Sequence, residues 1–112
     1  MRALITLTPR MYREAIAHSL HQHRPALEVR IAPPEAAEEE VRAFGPDLLV
    51  RNDTDGLDPR VLEGVPCRVE VLYSDSMDAR ICMDGWVEEI RDICKDDLLC
   101  VADQAAPGMQ KP

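Results

Sequence analysis

Four short apolar runs, separated by breaks rich in Pro, Gly and Asp, constrain this chain more than any other feature. Residues 3–7 (ALITL) and 47–50 (DLLV) are runs with little alternation, as expected for strands covered on both faces. Residues 27–32 (LEVRIA) alternate apolar and charged side chains and read as a strand with one wet face. Residues 65–73 (VPCRVEVLY) supply a fourth strand, with Val69, Val71 and Tyr73 on one side and Leu72 on the other. The stretches between them change period. Thr8 and Pro9 suit the start of a helix that carries Tyr12, Ile16 and Leu20 along one face and closes before Pro25. Residues 35–44 predict a second helix, stopped by Gly45 and Pro46, and residues 60–63 a short weak one.

Beyond Ser74 the pattern differs. Residues 79–83 and 86–90 predict two strands around Asp84–Gly85, a dipeptide suited to a tight hairpin turn. Residues 92–103 predict a last helix with Ile93, Leu98, Leu99, Val101 and Ala102 as its apolar positions, and residues 105–112 a mobile tail. Strands alternating with helices imply an α/β fold, a doubly wound and mostly parallel five-stranded sheet of order 2-1-3-4-5. The hairpin would replace a fourth helix or join the sheet edge. Residues 1–104 are expected to form a single domain.

Composition narrows the function classes. The chain has 112 residues and a net charge of −8, with 13 basic against 21 acidic side chains and no basic run. Such an excess repels phosphate backbones and anionic lipid, so neither nucleic acid nor membrane is an expected partner. No leader-like or membrane-spanning apolar stretch is visible, and the expected location is the cytoplasm. Cys67, Cys82, Cys94 and Cys100 make no Cys-x-x-Cys pair and are expected as small buried apolar side chains.

Residues 3–16 (ALITLTPRMYREAI) resemble the first strand and helix of the response-regulator receiver family, most closely at residues 11–16. Residues 27–32 resemble that family's second strand, residues 46–52 (PDLLVRN) its third and residues 69–74 (VEVLYS) its fourth. The likeness falls away after Ser74. It implies a flavodoxin-like or CheY-like fold and a place in two-component signal transduction. It also implies a phosphorylation site, and here the chain departs. The positions matching the family's magnesium-holding acidic pair are Leu7 and Thr8, and the phospho-accepting position is Asn52. Magnesium needs hard oxygen ligands that Leu7 lacks, and a neutral amide is a poor nucleophile. The family's lysine has no counterpart, because Lys95 and Lys111 are the only lysines. Asp53 neighbours Asn52 but should point to the opposite face. Ser74 falls near the family's switch hydroxyl, with nothing left to sense.

Other clusters read more simply. Asp53, Asp55, Gly56 and Asp58 suggest a calcium loop, but its first and last ligands would be Arg51 and Leu62, so Asx-turns are the better account. His18, His21 and His23 form an exposed helix end without a third ligand type nearby, and Glu38–Glu40 a solvated helix face. Tyr12, Phe44 and Tyr73 are expected in the core. Trp86, just after the hairpin turn, is placed to anchor a partner or a dimer interface, or to cover a core gap. The functional expectation is a non-catalytic pseudo-receiver, without cofactor or metal, acting through a protein partner or self-association. The alternative is a small-ligand sensor or enzyme using Thr8, Asn52, Asp53 and Ser74 in the crevice at the carboxyl ends of the strands. A phospho-accepting receiver ranks last.

Overall fold

The computed structural model describes residues 1–8, 10–53, 55–72, 78–83, 86–91, 93 and 95–105, with only the backbone of Trp86, Lys95 and Ala105. The expectations placed on Pro9, Tyr73, Ser74, Asp84–Gly85, Cys94 and residues 106–112 lie outside the described residues. The elements are β1 (Arg2–Ile5), α1 (Arg10–His23), β2 (Glu28–Ile31), a 3-10 turn (Pro34–Ala36), α2 (Ala37–Phe44), β3 (Leu48–Asn52), α3 (Pro59–Leu62), β4 (Cys67–Val71), β5 (Ala79–Met83), β6 (Trp86–Ile90) and α4 (Lys95–Ala105).

They build an α/β domain around one six-stranded mixed sheet of order β2-β1-β3-β4-β5-β6. β2, β1, β3 and β4 run parallel, while β5 and β6 are antiparallel to their neighbours. The five-stranded, mostly parallel expectation is thus corrected to six strands, with the hairpin adding two to the edge. The cause is chain length. A parallel crossover needs roughly a dozen residues or more, and only residues 72–78 separate β4 from β5. Reversal is the only pairing open to so short a connection.

The pleat sends alternate residues of the central strands into two cores. One packs Ala3, Ile5, Leu48, Val50, Cys67, Val69 and Ile81 beneath Leu20 of α1 and Leu98, Val101 and Ala102 of α4. The other packs Leu4 and Leu49 against Val41 and Phe44 of α2 and Val61 and Leu62 of α3. Leu48, Leu49 and Val50 are all fully buried, as a strand covered on both sides must be. β2, at the edge, keeps only Val29 half-buried.

Helix α1 presents Arg13, Ile16, Ala17 and Leu20 to the sheet, a line one position away from the expected stripe. Tyr12 is therefore 42% exposed, which corrects its assignment to the core. Residue 13 takes the inward place because its guanidinium reaches the Leu7 carbonyl at 3.3 Å. Phe44 is buried as expected. α4 begins at Lys95, later than its apolar pattern suggested, with Ile93 buried ahead of it. Arg24 donates to both carboxylate oxygens of Asp103 at 2.7 Å and ties the end of α1 to α4.

α2 and α3 cover only part of their face of the sheet. The same face of β4, β5 and β6 carries Arg68, Glu70, Arg80, Cys82, Val87 and Glu89, and the apolar cluster beneath α2 and α3 contains no residue of β5 or β6.

Candidate functional site

The carboxyl ends of β1 and β3 bring together three of the positions singled out from the sequence. Leu7 is fully buried in the core beneath α1 and α4, and its carbonyl accepts from Arg13. Thr8 is exposed, and both its backbone N–H and its hydroxyl donate to the Asn52 amide oxygen at 2.8 Å. Asn52 thus closes onto β1 and uses both lone pairs of its oxygen there. Thr8 was expected as a helix cap and as a polar group of the crevice; its hydroxyl hydrogen serves this link to β3.

Asp53 does not join them. Its N–H continues the ladder by donating to the Val71 carbonyl at 3.1 Å. The pleat places its side chain on the face opposite Asn52, where its charge helps raise the Arg80 pKa. One carboxylate oxygen of Asp53 is buried and has no hydrogen-bond partner. Among the described residues, no three His, Cys, Asp or Glu side chains are grouped to hold a metal ion. The three acids of the loop diverge. Asp58 caps α3 by accepting from Arg60 N–H at 2.9 Å, Asp55 accepts from Leu57 N–H at 3.0 Å, and Gly56 supplies a φ of 76°.

A second cluster was not foreseen. Arg51, only 5% exposed, donates through Nε and Nη2 to both oxygens of Asp55 at 2.9 and 2.6 Å. Its Nη1 reaches Glu70 Oε2 at 2.5 Å, from the registered position on β4. Arg80 of β5 holds the other Glu70 oxygen with Nε at 3.1 Å and Nη2 at 3.0 Å. Arg68 stands 3.7 Å from Glu70 and donates to the Leu62 carbonyl at 2.9 Å. Burial disfavours a charged Arg51, but the hydrogen bonds and charges of Asp55, then Glu70, outweigh it and raise its pKa above the ordinary value. The Glu70 hydrogen bond does the same for Arg80 against a smaller burial effect. The signal available in the sequence was an arginine closing a buried run, with a glutamate between two valines on the next strand.

The cysteines separate by face. Cys67 is buried in the core as expected, but Cys82 is half-buried and Cys100 exposed, which corrects their reading as buried apolar groups. Cys82 lies on the face of β5 turned away from α1 and α4, with its sulfur 4.0 Å from Glu70 Oε1, and Cys100 accepts from Gln104 on the outer side of α4 at 3.8 Å. His18, His21 and His23 are exposed at the end of α1, with His23 Nδ1 2.9 Å from the Ser19 carbonyl. Trp86 opens β6 opposite Met83, and only its backbone is described.

Compared with protein-family models, with curated proteins and with solved structures, the chain matches none. Among the described residues no helix is long and apolar enough to cross a membrane. Fold and site together define an α/β domain whose upper crevice is closed by a Thr–Asn link and whose sheet carries, on the face of α2 and α3, a largely buried arginine–carboxylate chain.

Proposed function

We propose that this chain is a receiver-like signalling domain of CheY-like ancestry that works through protein contacts and performs no phosphoryl transfer. The observation that carries the reading is the Thr8–Asn52 link. At the place where a phospho-accepting carboxylate and its cation would sit, a neutral amide has both oxygen lone pairs taken, beside an aliphatic Leu7. An amide so engaged has little nucleophilic character and offers no ligand to magnesium. The parallel order β2-β1-β3-β4, with helices on both faces, supports the receiver-like part of the reading. An acidic surface supports a protein partner or self-association in the cytoplasm over nucleic acid or membrane.

Incubation with acetyl phosphate and magnesium, followed by intact mass measurement, tests it. No mass gain is expected. A stable gain of one phosphoryl group, lost in Asp53→Ala, would return the chain to the phosphorylated receivers.

One observation favours a second reading, a small-ligand sensor. The buried, unpartnered carboxylate oxygen of Asp53 lies at the carboxyl end of β3, where doubly wound sheets bind ligands. A heat-shift increase with a specific metabolite, absent in Asp53→Asn, would support it.

A further inference from the structure

The sheet has two edges, and they treat their charges differently. On β2, Glu28 stands 3.7 Å from Arg2, while Arg30 donates to Glu40 at 3.1 Å and lies 4.4 Å above the Phe44 ring. Those charges are spent inside the molecule. On β6, Glu88 and Glu89 are exposed and have no ion-pair partner among the described residues, and Val87 between them and Trp86 is 60% exposed. β6 pairs with β5 in unbroken register from Met83↔Trp86 to Ala79↔Ile90, without bulge or proline. Its other side, the last position in the sheet order, offers regular backbone donors and acceptors with no strand beside them among the described residues.

We infer that β6 is a strand-addition site for an extended basic segment of another protein. The occupant follows from charge. Successive residues alternate faces, so Glu88 and Glu89 put one carboxylate on each face of the added strand's neighbour. A fitting segment carries Lys or Arg at two consecutive positions, with an apolar residue beside Val87. A second copy is disfavoured by the same acids wherever the whole of β6 pairs with itself. Antiparallel self-pairing centred on Glu88 sets Glu88 against Glu88, and centring between 88 and 89 sets Glu88 against Glu89. The register that brings Arg91 to Glu89 pairs only residues 89–91, because the chain bends at Arg91. The inference rests on the proposed role in protein contacts and names the partner's chemistry.

The test uses the full chain, labelled with nitrogen-15, and a blocked peptide, Thr-Val-Lys-Lys-Val-Thr. Saturable shifts are expected at the amides of β6 and β5. The peptide with glutamates in place of the lysines should not bind, and Glu88→Lys with Glu89→Lys should reverse that preference. N-methylation of alternate peptide amides keeps the charge but removes the strand-pairing donors, and should weaken binding at least about tenfold. Equal binding of the methylated peptide, or shifts away from β6, overturns the inference as mere charge attraction. A wild-type dimer that the Glu88/Glu89 reversal dissociates assigns the edge to a second copy and overturns it as well. The methylated-peptide comparison needs no variant, so it decides even if the double substitution fails to fold. Phosphorylation is read separately by mass, so a failed titration without mass gain sinks the strand-addition site and leaves the proposed function standing.

Discussion

Replacing Asn52 by alanine takes the acceptor from two donors of Thr8, each at 2.8 Å. Thr8 is exposed, so water can replace the lost partner, and the expected cost is about 1 kcal/mol, read as a lower urea midpoint. Arg51→Met is a different case. It leaves the carboxylates of Asp55 and Glu70, with side chains 1% and 8% exposed, without their main cation. A loss of about 3–5 kcal/mol is expected in the same assay. Arg80→Met, removing a guanidinium 37% exposed from the same Glu70, should cost under about 1 kcal/mol, since water screens and partly replaces it. If the two arginine variants prove equal, burial does not govern this cluster. At this scale the sequence named Leu7, Thr8 and Asn52 but missed the Thr8–Asn52 link, and it met Arg51 only as a residue unable to hold calcium. Asn52 meets Thr8 and Arg51 meets Glu70 across strands, and the β3–α3 loop must fold back to bring Asp55 to Arg51, so no spacing within β3 encodes these partners.

Helix α2 ends on Gly45 at φ 63°, with its N–H donating to the Val41 carbonyl at 3.0 Å. A Cβ there would meet nothing closer than an Arg2 nitrogen at 3.7 Å, so the cost of Gly45→Ala is conformational, about 1 kcal/mol, and should appear as a lowered melting temperature. The link between α1 and α4 depends on pH. The hydrogen bond from Arg24 lowers the Asp103 pKa below its ordinary value, against a smaller burial effect. Its contribution is present above the ordinary carboxylate pKa and is lost as pH falls through the lowered one. Wild type should therefore exceed Asp103→Asn in denaturant midpoint at neutral pH, with the gap closing in acid. Both helix stops and the α2 cap were legible because Gly–Pro and Pro punctuate the chain locally. The rotation of α1 was not, because Tyr12 and Arg13 compete for the inward place and the Leu7 carbonyl decides between them.

The arginine–carboxylate chain runs from the β3–α3 loop through β3 and β4 to β5, so Asp55 and Arg80 are joined without touching. A double-mutant cycle between Asp55→Asn and Arg80→Met should give a coupling of at least about 0.5 kcal/mol; strict additivity would show that Arg51 and Glu70 insulate the two ends. Four parallel strands, the helices between them and the hairpin could all be read from the sequence, because apolar period and turn residues are local properties. The reversal at β5 was not foreseen, although residues 72–78 are too few for a parallel crossover. The sequence by itself therefore determined an α/β domain with a covered parallel centre and an acidic exterior. Only the tertiary structure decided that the hairpin extends the sheet to six strands, beyond the apolar cluster that α2 and α3 cover. It alone also set Arg51 between two carboxylates and left Glu88 and Glu89 without an ion-pair partner among the described residues. Those outcomes depend on which strands become neighbours and in what register, and residues that meet across strands are far apart along the chain.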